Sequence, residues 1–182
     1  MNHEDHVRLI APGIPSNSGG VWADFGSGSG AFTLALRDIA GRDVEIWSVD
    51  QDRQTLQEQQ RAFDRRFPGT HLHLVHASFT NVLDLPPLDG LLVANAIHYV
   101  SDAAALLSFW RDYLKPDGRL IIVEYDTDSG NRWVPYPVSF HALRTIAPAA
   151  GFQPPVLLNT VPSRFLRRIY AAMTSPAISQ PV

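Results

Sequence analysis

The sequence predicts an α/β fold, a doubly wound and mostly parallel sheet with one antiparallel strand near its C-terminal edge, on three observations. Strand-like and helix-like stretches alternate through most of the chain. The run "LDGLLVANAI" is almost continuously apolar, as a strand covered on both faces requires. The alternation breaks only near the C-terminus, where "PPVLLNTVPS" and "FLRRIYAAMT" follow one another with no room for a helix, so these two runs should pair as a hairpin.

Taken in order, "VWADF" reads as the first strand and "AFTLALRDIA" as a helix with Phe32, Leu36 and Ile39 on one face, stopped by Gly41. "VEIWSVD" is the second strand. "RQTLQEQQRAFDRRF" is a helix with apolar Leu56, Ala62 and Phe63, ending before Pro68, and "HLHLVHA" is the third strand. After the fourth, apolar strand, Asp102 is placed to cap "AAALLSFWRDYL", which Pro116 and Gly118 terminate. "GRLIIVEYD" is the fifth strand, and "SFHALRTIAPAAGF" is a helix disturbed by Pro148. A Pro-Ser turn is expected to join the last two strands, and the tail "TSPAISQPV" is expected to be disordered.

Composition narrows the function classes. The 182 residues, 45% of them hydrophobic, suffice for one core. A net charge of −3, from 15 basic and 18 acidic residues, does not favour a broad basic face for nucleic acid. With 0 Cys there is no disulfide framework, thiolate nucleophile or Cys-based zinc site. The N-terminus "MNHEDHVRLIAPG" lacks the apolar core of a signal peptide, and no apolar run reaches the roughly 20 residues of a membrane span. A cytoplasmic protein is the expectation.

The stretch most suggestive of chemistry is "DFGSGSGAF". Gly26 and Gly28 permit a sharp turn and a close backbone approach by a ligand, and the N–H groups opening the next helix favour anionic or polar ligand groups. About twenty residues on, Asp50 ends the second strand, where a carboxylate can accept both hydroxyls of a ribose. Glycine loop and spaced acid together mark a nucleotide site. Asp24, at the end of the first strand, would sit uneasily near a pyrophosphate and suits a ligand carrying positive charge.

Here the sequence resembles the class I S-adenosylmethionine-dependent methyltransferases, from about Val21 to Met173. "DFGSGSG" is similar to that family's E/D-x-G-x-G-x-G motif, Val49-Asp50 to its ribose-binding acid, and "LKPDGRLIIVEYD" to its late signature. The resemblance implies a seven-stranded Rossmann-like sheet of order 3-2-1-4-5-7-6, one domain over residues 1–175 with a disordered tail over 176–182, and S-adenosyl-L-methionine as cofactor. It further implies that Gly26, Ser27, Gly28 and Gly30 cradle the methionine part and that Asp24 anchors its ammonium, directly or through water. Asp50 would hold the ribose, with Gln51 bordering the adenine. The family's usual Gly-Asp pair is replaced by Ala77 and Ser78, so Ser78 would receive the adenine amino group and Phe79 would flank the ring. Asn95 would contact the cofactor after the fourth strand.

The catalytic group is not identified. His98, Tyr99 and Tyr125 are candidates at the substrate side, and His98 could act as a general base. Packing beside Trp110 or helix capping explains His98 as well, and a plain strand end explains Tyr125. His71 and His73 share one strand face opposite His76, without an acid to complete a metal site, so no metal is expected. His3 and His6 lie in a terminal segment that could fold over the cofactor. Trp133, Tyr136 and Phe140 among prolines suit either a small planar substrate or the core.

Three functions remain open: methyl transfer to a small-molecule acceptor, a non-catalytic cofactor-binding or regulatory module, and a nicotinamide-dependent oxidoreductase. The expected partner is a small-molecule substrate, with neither nucleic acid nor membrane, and a homodimer is left open.

Overall fold

The computed structural model describes residues 1–177. Seven strands form one sheet in the order β3-β2-β1-β4-β5-β7-β6, as the family resemblance implies. The strands are β1 (Gly20–Phe25), β2 (Val44–Asp50), β3 (His71–His76), β4 (Leu88–Ala94), β5 (Leu114–Tyr125), β6 (Val156–Ser163) and β7 (Arg167–Thr174). The helices are α1 (His3–Ile10), α2 (Ala31–Ala40), α3 (Arg53–Arg66), α4 (Ala103–Arg111) and α5 (Phe140–Ala149). Strands β1 to β5 pair in parallel, and β7 lies antiparallel between β5 and β6.

Each sheet face is covered because the central strands are apolar on both sides. On one face Phe25, Leu91, Val93 and Ile122 pack under Leu107 and Trp110 of α4 and Leu143 of α5. On the other, Trp22, Ile46 and Leu92 pack under Leu36 and Ile39 of α2, Phe63 of α3 and Leu9 and Ile10 of α1. Asp52, Asp102 and Ser139 cap α3, α4 and α5 by accepting backbone N–H groups of the first turn.

Four differences from the sequence expectation have physical causes. The helix α1 forms on a capping box between Asn2 and Asp5 and docks on α2, with His3 bonded to Asp38 and the His6 ring 4.6 Å from that of Phe32. α4 ends at Arg111, and "LKPDG" belongs to β5, where the ladder to β4 jumps from the Leu88–Leu114 pair to the Gly90–Arg119 pair. Pro116 and Gly118 therefore sit in an irregular strand start, a place where the ladder needs neither a donor nor a side chain. The hairpin turns at Arg164-Phe165-Leu166, and Pro162 stays in β6 opposite Arg168. Of the expected tail, Pro176 bridges to Phe152 and the Ala177 N–H donates to Gly151 O, while residues 178–182 lie outside the described residues. Among the described residues no helix is long and apolar enough to cross a membrane.

Candidate functional site

In a sheet of this order the strand sequence reverses between β1 and β4, and ligands bind beyond the carboxyl ends of the strands at that point. A cleft of about 340 Å³ opens there, lined by Gly26, Asp50, Gln51, Ser78, Phe79, Thr80, Asn95, Ala96, Tyr99 and Val100. Its size falls at the lower end of small-molecule sites. A second cleft, of about 240 Å³, lies at the opposite rim between Gly20, Asp89 and Arg119. There Asp89 is already engaged by Lys115 and the Val21 N–H.

The glycine loop is held tightly. The N–H groups of Gly26 and Ser27 donate to Val49 O at 2.8 and 3.2 Å, tying the loop to β2. Gly26 has φ of 72°, and a Cβ there would stand 2.6 Å from the Ala96 Cβ and 3.3 Å from the Phe79 ring. Gly30, with φ of 85°, faces Gln59, whose Cγ would be 2.5 Å from an added Cβ. Both positions combine a left-handed backbone with a close approach, which only glycine tolerates.

Asp50 links the loop to the next helix. Its Oδ2 accepts the Gly28 N–H at 2.7 Å, and its Oδ1 accepts the Asp52 N–H at 2.8 Å. A carboxylate has about four lone-pair sites, so each oxygen retains acceptor capacity toward the cleft that Asp50 lines.

Asp24 lies beneath the loop, not on the cleft wall, and is buried. Its Oδ2 accepts the Thr33 hydroxyl at 2.6 Å, while Oδ1 is buried without a partner among the described residues. Burial pushes its carboxyl up to about 7, opposed by the Thr33 bond and reinforced by the charge of Asp50. The Asn95 Oδ1 is the other unpartnered buried oxygen at this rim, on a residue with φ of 51° whose N–H donates to Val123 O. Two orphaned acceptors beside one cleft are what a hydrogen-bonding ligand would satisfy.

The remaining expectations divide. Gly26, Asp50, Gln51, Ser78, Phe79, Asn95 and Tyr99 meet at the cleft; Ser27, Gly28 and Gly30 do not line it. The Ser27 hydroxyl turns toward Ser48 Oγ at 2.6 Å and Gln59 Oε1 at 3.3 Å, bracing the loop from below. The Ser78 hydroxyl is 2.7 Å from that of Thr80. Phe79 is fixed edge-on to Trp110, whose Nε1–H donates to the Phe79 carbonyl. His3 and His6 do not line the cleft.

His98 and Tyr125 lie on the β4–β5 side of the rim, outside the cleft lining. His98 is 2% exposed, and its Nδ1 pairs with Oε2 of fully buried Glu124 at 2.7 Å, so it is held by a carboxylate and caps no helix. Tyr125 is half-buried, and burial together with the charge of Glu124 and the neighbouring Tyr99 pushes its phenol above the usual range.

Sequence reasoning missed Gln59 and Glu124. Gln59 shares a helical face with Leu56 and Phe63, a placement visible in the spacing of an otherwise polar helix. Glu124 is a lone acid in the apolar run "LIIVEY", a signal that becomes meaningful only once its partner across the sheet is known.

Residues 23–120 match the family model described as a methyltransferase domain. No curated protein matches the chain. Among solved structures, the chain is similar to the 1,6-didemethyltoxoflavin-N1-methyltransferase of Burkholderia thailandensis, solved with 1,6-didemethyltoxoflavin and S-adenosylhomocysteine. That likeness has 20% identity and a TM-score of 0.74, covering 97% of this chain and 79% of the other. YcgJ of Bacillus subtilis shares 12% identity at a TM-score of 0.76, covering 97% and 100%. The mitomycin 7-O-methyltransferase MmcR shares 14% identity at a TM-score of 0.69; 94% of this chain is covered, but it spans only 53% of that chain.

Proposed function

Because the chain belongs to the methyltransferase-domain family, whose model matches more than half of it, we propose that it transfers the methyl group of S-adenosyl-L-methionine to a small-molecule acceptor. The observation that carries this reading is the cleft at the strand-order reversal, where a side-chain-free Gly26, a carboxylate with spare acceptors at Asp50 and the orphaned buried oxygen of Asn95 converge. Bound there, S-adenosylmethionine supplies a methyl already activated on a sulfonium.

This chain's own residues bind and align. Asp50 accepts the ribose hydroxyls while its bonds to Gly28 and Asp52 keep it from rotating. Gly26 lets the ligand rest on backbone, and Gly28 and Gly30 hold the loop in that shape. Gln51, Ser78 and Phe79 border the adenine, and Asn95 offers its amide oxygen. The unpartnered oxygen of Asp24 favours an ammonium above the loop, reached directly or through water. Alignment of nucleophile, methyl and sulfur is the main catalytic task, since well-oriented reactants reach effective molarities of about 10⁵–10⁸ M. A small acceptor is supported by the methyltransferases of 1,6-didemethyltoxoflavin and mitomycin that share this fold.

Thermal denaturation with S-adenosylmethionine, S-adenosylhomocysteine and NAD tests the reading, because a ligand that binds only the native state raises its stability. The two adenosyl compounds should raise the midpoint and NAD should not. Stabilisation by NAD alone would replace this function with hydride transfer. Stabilisation by the adenosyl compounds with no methylated product across nucleophile classes would make the chain a binding module.

A further inference from the structure

The His98–Glu124 pair is buried and does not line the cofactor cleft. Taking an acid and an imidazole out of water is costly when both are charged, so such a pair is weak evidence for stability. It stands at the ligand-binding rim, next to Tyr99, which lines the cleft. From there a row of aromatic rings leads outward. The His98 ring is 4.3 Å from that of Tyr99 and 6.1 Å from that of Tyr125, and Tyr125 meets Phe165 edge-on at 5.7 Å. Tyr99 is 61% exposed and Phe165, at the hairpin tip, 51%, so the row offers unpartnered ring faces at the mouth of the site.

We infer that Tyr99, Tyr125 and Phe165 form the acceptor subsite, that it takes a planar aromatic compound bearing a hydroxyl group, and that His98 accepts the hydroxyl proton while Glu124 positions His98. The inference rests on the methyl-transfer reading above and deepens it.

The tautomer follows from the bonds. Glu124 Oε1 accepts the Tyr125 N–H at 2.8 Å and Oε2 faces His98 Nδ1, so the carboxylate acts as acceptor on both oxygens and Nδ1 carries the hydrogen. The basic lone pair is then on Nε2, which has no hydrogen-bond partner among the described residues. Tyr125, its phenol raised, stays neutral and serves as a wall, not a base.

The step balances. The acceptor O–H bond breaks and its proton goes to Nε2; an O–C bond forms as the methyl C–S bond breaks, and that electron pair returns to sulfur. Sulfonium charge is replaced by imidazolium charge, which the Glu124 carboxylate neutralises. A phenol, with a pKa of about 10, is within reach of an imidazole base, whereas a neutral amine would not need one before transfer.

The probe is a panel from 4-nitrophenol through 4-methoxyphenol to 2-naphthol, with binding to the donor-free protein followed by NMR and calorimetry and initial rates then measured with S-adenosylmethionine. At least one member should bind without the donor and shift the ring signals of Tyr99, Tyr125 and Phe165. Tyr99→Ala and Phe165→Ala, both at exposed positions, should each weaken that binding by about 3–10-fold. His98→Asn should leave it nearly unchanged but lower kcat by about 10²–10⁴-fold for weakly acidic phenols, and far less for 4-nitrophenol, which is already ionised at pH 8. His98→Gln repeats the test should the Asn variant unfold. Glu124→Gln should lower kcat at constant KM with the same dependence on phenol acidity, and Glu124→Asp should restore part of it. A protein that binds S-adenosylmethionine but no phenol of the panel overturns the subsite, and a His98 effect independent of phenol acidity overturns the base. A protein that does not bind S-adenosylmethionine overturns the methyl-transfer reading itself, and this inference with it.

Discussion

The two halves of the ligand-binding rim are built differently. On the β1–β2 side the loop is held by a polar network: Val49 O holds it, Asp50 ties it to α3, and Ser27, Ser48 and Gln59 brace it, with Asp24 Oδ1 and Gln59 Nε2 left unpartnered among the described residues. On the β4–β5–β7 side the exposed surface is aromatic and loosely packed, with Tyr99, Trp133, Tyr136 and Phe165 between 48% and 66% exposed. A preorganised half suits a ligand that never changes; an adaptable aromatic half suits the partner that differs from one methyltransferase to the next. One scaffold hosts many chemistries because only the second half needs to be rebuilt.

That contrast can be broken most forcefully at Gly26. Gly26→Val puts a branched side chain on a left-handed backbone against Ala96 and Phe79. It should cost roughly 3–5 kcal/mol of stability in urea denaturation and abolish measurable S-adenosylmethionine binding. An unaffected variant would mean that the loop is neither rigid nor in contact with the ligand.

Asp24 gives the next effect, and its sign is definite. Its carboxyl is pushed up to about 7 in the folded protein against 3.8 otherwise, chiefly by burial. The folded state therefore holds a proton that the unfolded state releases, and this contribution is complete below about pH 4 and lost as pH rises toward and through 7. Wild-type stability should fall between about pH 4 and pH 7 by on the order of a few kcal/mol from this group, and Asp24→Asn should flatten the profile. A ligand ammonium near Asp24 favours the carboxylate, so S-adenosylmethionine binding at pH 6 should release a proton in wild type and not in Asp24→Asn, as calorimetry in buffers of different ionisation heat would record.

Asp50→Ala removes both the proposed ribose acceptor and the brace on Gly28, and should weaken S-adenosylmethionine binding by roughly 1–3 kcal/mol in calorimetry. Unchanged affinity would reject the assignment. The smallest change expected is a gain. Ser78 now spends its hydroxyl on Thr80, and Ser78→Asp would offer the adenine amino group a charged acceptor, tightening binding by about 1 kcal/mol.

The sequence made the preorganised half legible and left the adaptable half obscure, for physical reasons. Glycines spaced by one residue, an acid at a strand end and period-defined strands are local signals, and β2 and α2 begin and end where their patterns do. Asp50 could be placed because a strand end fixes its side chain at the rim. Glu124 and His98 are 26 residues apart, and no spacing rule brings them together. The start of β5 was hidden because Pro116 and Gly118 read as a helix stop, when the irregular ladder to β4 absorbs both. The capping box at Asn2 and Asp5 could have been read, but α1 owes its place to packing on α2, which a periodicity does not show.

The central claim is tested most directly by titrating isotope-labelled protein with S-adenosylmethionine and mapping the perturbed backbone amides. The amides of Gly26, Gly28, Asp50, Gln51, Phe79 and Asn95 should move together in a saturable way. Shifts confined to Gly20, Asp89 and Arg119 at the opposite rim, or no saturable shifts, would contradict it.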